Sequence, residues 1–334
     1  MHPSIVAIEY FLPEQVITTA ELAASFPEWS IARQDKKTGI RCRHIAAVDE
    51  CASDLAAKAA GALFSSGVCL PGEIDFLLFC TQSADYVLPT TACLLQDRLG
   101  LSTQVGAFDF NLGCSGFIYG LGMATALIES GQAHTVLLLT ADTYSKYIAV
   151  DDKACRSIFG DGGTATLIRG RENGPSSLGP FIYGTDGSGG DKLMVPNSGN
   201  RHSRLDVDEN LPYMGRGRLV MDGPSIFQFA LDTVPLAVEA LLVKAHLALE
   251  DISLFIFHQA NAFMLEAIRE TLAIPKEKFY ISMADSANTI SSTIPIALKD
   301  AFVAGRVLPG ARVMLVGFGV GYSWGGTIIK YELW

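Results

Sequence analysis

Three features of the sequence predict an α/β protein made of two related halves. The first is alternation: short, β-rich apolar runs are followed by longer stretches of helical period. IDFLLFCT (74–81) precedes TTACLLQDRLG, QVGAFDF precedes CSGFIYGLGMATALIESG, and HTVLLLTAD closes the series. Runs this apolar belong to strands covered on both faces, as in sheets with helices packed on either side. The second is internal repetition. The third is capacity: 334 residues, 49% hydrophobic and only 18% charged, can bury a core large enough for two such units.

The repeat is visible residue by residue. PGEIDFLLFCTQ resembles LEDISLFIFHQA with Phe79 over Phe257, an offset of 178, and HTVLLLTAD resembles ARVMLVGFG with Val136 over Val313, an offset of 177. Each first strand leads into a helical stretch, LLQDRLGL or MLEAIRETLAI. A second strand then leads to Cys114 in one half, and FYISMADSA to Asn288 in the other. The helix of 115–130 stops at Ser130-Gly131, a common C-terminal signal. RGRENGPSSLGP reads as the connection, dividing the chain into residues 1–170 and 171–334. Residues 184–218, rich in Gly, Asn, Asp and Arg, read either as a surface excursion or as a loop covering a substrate entrance.

Composition narrows the function. A net charge of −10 argues against a sequence-independent grip on nucleic acid, which needs clustered Lys and Arg. Seven cysteines, with no Cys-x-x-Cys pair and no Cys/His cluster at zinc spacing, point to a reducing cytoplasm and to no metal. No basic segment precedes an apolar stretch at the N-terminus, and no run of about 18 uninterrupted apolar residues occurs, so neither export nor membrane spanning is expected.

Ligands of parallel α/β sheets sit beyond the carboxyl ends of strands, so polar residues there are the ones to weigh. Cys114 follows VGAFDFNLG where a strand turns into a helix. The helix's unsatisfied N–H groups and dipole would favour a thiolate, although a cysteine is also a good small core residue. His258 ends ISLFIF as a core histidine or as a neutral donor and proton carrier. Asn288 in SANTISS is a turn residue, or an amide that donates where negative charge develops. Two look-alikes fail. GCSG lacks the closing glycine of a serine-hydrolase elbow, residue 117 being Phe, and GFGVGYSWGG begins too near the end of the chain for a dinucleotide site. FGDGGTATL reads as a structural turn rather than a phosphate cradle.

LGCSGFIYGL, FGDGGTATL, LVMDGPSIFQFA, IFHQANAFML, SANTISSTIPIAL and GFGVGYSWGG occur in order, with KTGIRCRHIAA near the start. Together they resemble the β-ketoacyl-acyl carrier protein synthase III family of thiolase-fold condensing enzymes, over nearly the whole chain. The resemblance implies a five-layered αβαβα arrangement, a homodimer and no cofactor, with coenzyme A thioester as substrate. It implies that Cys114 takes an acyl group from acyl-CoA, with the N–H groups of Cys114 and Val320 as oxyanion hole. His258 and Asn288 would hold a malonyl thioester, on acyl carrier protein or CoA, while it loses CO2. Leu88, Gln259, Asn261 and Phe263 would lie at the substrate, Leu88 in a segment that reaches the partner subunit.

Several positions depart from the family. Phe263, Gln228 and Glu270-Thr271 stand where basic residues dock the carrier protein; Arg201, Arg204, Arg216 and Arg218 offer a different basic surface or a solvated loop. Trp29 is separated from the KTGIR motif, Ala287 replaces the Gly before Asn288, and Leu88 takes a place often held by Phe. The competing expectations are a carrier-independent acyltransferase or non-malonyl condensing enzyme of the same fold and, more distantly, a cysteine acyl hydrolase in which Asn288 orients His258.

Overall fold

The computed structural model describes residues 1–26, 30, 37–174, 176–199 and 218–331. Its strands are β1 (His2–Phe11), β2 (Gln15–Thr18), β3 (Cys42–Ile45), β4 (Phe76–Cys80), β5 (Gly106–Phe110), β6 (Thr135–Asp142), β7 (Gly162–Arg171), β8 (Leu178–Thr185), β9 (Leu193–Met194), β10 (Val220–Met221), β11 (Leu254–Phe257), β12 (Arg312–Gly319) and β13 (Ser323–Lys330). Its helices are α1 (Thr19–Ala24), α2 (Ala52–Ser65), α3 (Thr91–Arg98), α4 (Gly116–Glu129), α5 (Lys153–Arg156), α6 (Gly223–Ala245), α7 (Ala262–Thr271) and α8 (Thr293–Val303).

Two large sheets carry the architecture, one in the order β1-β7-β6-β4-β5 and the other β11-β12-β13-β8. The duplication seen in the sequence is reproduced in their registers. Phe76 pairs with Val136 and Phe79 with Leu139 in the parallel β4–β6 ladder; Leu254 pairs with Val313 and Phe257 with Val316 in β11–β12. Offsets of 178 and 177 therefore place equivalent residues opposite each other in both sheets. β7, in the first sheet, ends at Arg171, and β8, in the second, starts at Leu178.

Strand residues alternate between faces, and this alternation builds the layers. Leu78, Val136 and Leu138 from one sheet, and Leu254, Ile256, Val313 and Leu315 from the other, pack onto α4 and α8 in the centre. Leu77, Phe79, Leu137 and Leu139 face the other way onto α2 and α3. Phe255, Phe257, Met314 and Val316 face α6 and α7. The result is the αβαβα stack. α6 is long and apolar enough to pass for a membrane span; Phe229, Ala230, Val234, Ala237, Val238 and Leu241 are buried against the second sheet and α7, while Leu236 and Val243 are exposed.

One expected strand does not form. FYISMADSA makes only an isolated parallel bridge between Phe255 and Phe279. Pro275 and a 3-10 turn at Lys276–Lys278 deliver the chain, and a side chain then replaces the ladder. Gln259 Nε2 donates to Phe257 O (2.6 Å) and Tyr280 O (3.4 Å), and its Oε1 accepts from Ser282 N (2.8 Å).

Candidate active site

Cys114 lies between the end of β5 and the N-terminus of α4, and it is buried. Gly317 and Gly319 of β12 let the other half of the molecule lie against it: a methyl on Gly319 would fall 2.8 Å from both Cβ and Sγ of Cys114. A hydroxyl pair fixes this contact. Ser115 Oγ meets Ser323 Oγ at 2.6 Å, and Ser323 Oγ donates to Val320 O (3.0 Å). These two serines tie the first turn of α4 to the loop that follows β12.

The thiolate expected from the helix terminus is corrected by the structure. Burial pushes the Cys114 thiol up to about 12, while the backbone N–H groups of Val320 and of Cys114 itself pull it down. Desolvation of a charged sulfur outweighs the nearby dipoles, so the resting side chain is a thiol. The N–H groups of Cys114 and Val320, expected from the resemblance to form an oxyanion hole, are thus the same pair that lies at the sulfur.

His258 leaves the end of β11, its N–H bound to Val316 O of β12 (2.8 Å). Its ring stands edge-on to Phe318, centroids 5.7 Å apart, and its Nδ1 is 2.7 Å from Thr293 Oγ1. Burial lowers its pKa to about 3, so the ring is neutral at physiological pH. Phe318 against His258 and Gly319 against Cys114 are consecutive residues of one strand, which is how histidine and cysteine come to share a site.

Asn288 completes the group. Its Nδ2 lies 3.5 Å from His258 Nε2 and donates to Ala260 O (3.4 Å), while its Oδ1 accepts from Ile290 N (3.0 Å). Backbone bonds to the first half clamp it: Asn288 N donates to Ile158 O, and Gly160 N to Asn288 O, each 3.0 Å. Ala287 and Ile290 on either side have φ of 60° and 55°, the left-handed region that costs a residue with a Cβ roughly 1–2 kcal/mol. Glycine would adopt this region at position 287 without that cost.

Other expected positions divide. Asn261 caps α7 through its Oδ1 to Met264 N (2.9 Å), and with Phe263, Phe227, Lys37, Thr38 and Ile158 it lines a cavity of about 480 Å³. Phe263 is 56% exposed and stacks on Phe227 at 5.2 Å. Gln259 is buried, its amide engaged by the backbone of Phe257, Tyr280 and Ser282, so it ties the end of β11 to residues 280–282. Leu88 is 83% exposed beside exposed Tyr86 and Val87. Gln228 binds Asp232 (2.9 Å), and Arg218 pairs with Asp151 (3.0 Å). Trp29, Arg201, Arg204 and Arg216 lie outside the described residues.

Sequence reasoning missed several supports. Asp142, at the end of β6, accepts from Gln82 N (2.7 Å) and from Ser291 Oγ (2.6 Å), linking the first half to the Asn288 loop, and burial pushes it up to about 7. In FGDGG, Asp161 accepts from Ala46 N (2.8 Å) and from Ser145 N (3.0 Å) and Oγ (2.5 Å), and Gly163 lies close against α2. That motif is a structural corner. Among the described residues no group of three or more His, Cys, Asp or Glu side chains is arranged to hold a metal ion.

Known proteins resemble this chain in sequence and fold. The family described as 3-oxoacyl-[acyl-carrier-protein] synthase III matches residues 108–187, and its C-terminal counterpart matches 242–331. The β-ketoacyl-[acyl-carrier-protein] synthase III of Caldanaerobacter subterraneus subsp. tengcongensis is 35% identical over 327 residues, 96% of each chain. That of Fusobacterium nucleatum subsp. nucleatum is 34% identical over 329 residues, again 96% of each. A crystal structure of a 3-oxoacyl-(acyl-carrier-protein) synthase III superposes with a TM-score of 0.95 at 44% identity, over 99% of this chain and 100% of that one. The chain belongs to the β-ketoacyl-[acyl-carrier-protein] synthase III family of condensing enzymes.

Proposed function

We propose that Cys114 is acylated by an acyl-CoA and that His258 and Asn288 then hold a malonyl thioester during decarboxylative condensation, giving a β-ketoacyl product. The observation that carries this reading is the buried His258–Asn288 pair, held neutral and 3.5 Å apart. Loss of CO2 leaves an enolate, and two preorganised uncharged donors stabilise its oxygen without protonating its carbon. Residues 1–170 supply the nucleophile and 171–334 the donors. The cavity beside Asn261 and Phe263 is the route by which the thioester arms enter.

The mouth of that cavity supports a second reading, in which the extender travels on CoA. Phe263 and Phe227 present an apolar stack there, and Arg269 of α7 is held by Glu266 (2.6 Å) and Glu270 (3.5 Å). An acidic carrier protein would find little unpaired positive charge on that helix. Comparing malonyl-ACP with malonyl-CoA in a CO2-release assay distinguishes the carriers. Acyl transfer without CO2 from either would refute malonyl condensation, and extender-independent hydrolysis of acyl-CoA would favour a hydrolase.

The protein is further read as a cytoplasmic homodimer. Among the described residues no cysteine is in a disulfide, as suits a reducing compartment. Among the described residues β5 is the edge strand of its sheet, beside β4, with Phe108 exposed; Tyr86, Val87 and Leu88 are exposed too. Such an edge is a template for pairing with a second copy. Sedimentation of a single 35.8 kDa species would refute the dimer.

A further inference from the structure

The apolar surroundings of Cys114 are bounded by cavities on two sides. Cys114 belongs to one buried cluster with Tyr144, Ile148 and Phe159. Ile158 and Met221 pack against that cluster and also line the cavity of about 480 Å³ beside Asn261 and Phe263. Ile148 and Phe159 are members of the cluster and also line a second cavity, of about 140 Å³. Ile158 and Phe159 are consecutive in the chain, one lining the larger cavity and the other the smaller.

The smaller cavity suits an apolar occupant. Ile17 of β2, Leu22 of α1, Ile45 of β3 and Val150 complete its apolar lining. Its polar neighbours bond to the protein: Arg43 donates to Ser157 O (2.7 Å) and Thr19 Oγ1 (3.0 Å), Arg156 to Val150 O (2.7 Å), and Ser145 Oγ to Asp161. An apolar cavity of about 150 Å³ takes up benzene, so this one has room for about six carbon atoms. The partition in front of it is fixed. Phe159 is buried with its ring against Tyr144, centroids 5.4 Å apart, and the Tyr144 hydroxyl donates to Gln82 Oε1. The backbone of Phe159 bridges that of Asn288, and its N–H donates to Cys155 O (3.0 Å).

We propose that Ile148 and Phe159 are specificity-determining residues that end the acyl pocket of Cys114 and withhold the cavity behind them from the acyl tail. This rests on the reading of Cys114 as the acylated residue. The thioester enters through the larger cavity, so an acyl chain extending from the sulfur away from that entrance runs through the cluster to the Ile148–Phe159 wall. Short acyl groups end before the wall. Each further methylene that finds room in an apolar site gains about fourfold in binding, and one that meets the wall forfeits that gain.

Straight-chain acyl-CoAs of increasing length are supplied to the enzyme, and the rate of mass gain at Cys114 is followed by peptide mass spectrometry. The wild type is expected to load octanoyl at least about tenfold more slowly than acetyl; equal rates overturn the proposal. Ile148→Ala opens the wall while leaving Phe159 and its bridge to Asn288 in place, and is expected to raise the octanoyl-to-acetyl ratio by at least about tenfold. Ile17→Phe fills the cavity from another wall, so its addition to Ile148→Ala is expected to return the ratio close to the wild-type value. An unchanged ratio in Ile148→Ala, or a gain that survives Ile17→Phe, overturns the proposal. Should Ile148→Ala not fold, Ile148→Val makes room for one carbon and is expected to raise the ratio about fourfold, no rise being the contrary result. An enzyme that takes no acyl mass on Cys114 from any chain counts instead against the site reading, whereas acetyl loading with a chain-length ratio indifferent to Ile148 counts against the wall alone.

Discussion

Adding one methyl group at Gly319 tests how the two halves meet at the nucleophile. A Cβ there would lie 2.8 Å from Cβ and Sγ of Cys114, whereas carbon atoms in contact sit at about 3.5–4.0 Å. The sulfur or the strand must therefore move by roughly 0.7–1.2 Å. Neither moves easily. Gly319 is in register with Ser323 across β12–β13, and Ser323 is bound to Ser115 beside the cysteine. Overpacking of this kind costs about 1–3 kcal/mol of stability. A displacement near 1 Å at a reacting atom lowers rate by about 10²-fold. Gly319→Ala is thus expected to unfold at lower denaturant and to acquire acyl mass from acyl-CoA about 10²-fold more slowly, with Cys114 still present. Wild-type acylation with unchanged unfolding would refute the packing argument.

Gly61 is the contrasting case, a glycine inside α2 with nothing within 4 Å of its would-be Cβ. Gly61→Ala is expected to stabilise by about 0.5–1 kcal/mol in denaturant unfolding with no effect on acylation. Gln259→Leu strips the amide that joins β11 to residues 280–282, leaving buried backbone groups unpaired. It should cost about 2–4 kcal/mol and loosen the Asn288 approach, measured as lost hydrogen-exchange protection there. Asp142 has a folded pKa of about 7, above its ordinary 3.8, so its contribution is full below pH 3.8 and lost as pH rises through 7. Asp142→Asn removes that dependence. Relative to wild type the variant should gain about 3 kcal/mol between pH 5 and pH 8 by equilibrium unfolding, and a pH-independent difference would contradict the burial argument.

What the sequence discloses here is what local pattern and repetition can encode. The two offsets of 178 and 177 reappear as the ladder pairs Phe79–Leu139 and Phe257–Val316, because duplicated strands keep their register when both faces are buried. Strand ends likewise point to Cys114 and His258. The strand expected in FYISMADSA fails because Gln259 substitutes side-chain bonds for a ladder, a choice no periodicity reveals. The protonation state of Cys114 was misjudged for a related reason: the helix end is a local feature, but the burial that dominates comes from β12, some 200 residues away. Ser115 with Ser323, Asp142 with Ser291 and Thr293 with His258 were all missed, since each pairing joins distant positions. The one available hint was compositional. TISST places four hydroxyl residues at the start of an apolar helix, and Thr289, Ser291, Ser292 and Thr293 are all buried.

The central claim, that Cys114 carries the acyl group that the decarboxylated extender attacks, is tested most directly by intact-protein mass spectrometry. The enzyme is exposed to a panel of acyl-CoAs, mapped by peptide, and then given a malonyl thioester. The account predicts a single acyl adduct on Cys114, absent from Cys114→Ala, which disappears on addition of extender with one CO2 released per adduct lost. An adduct that persists in Cys114→Ala, or one discharged to free acid without CO2, would contradict it.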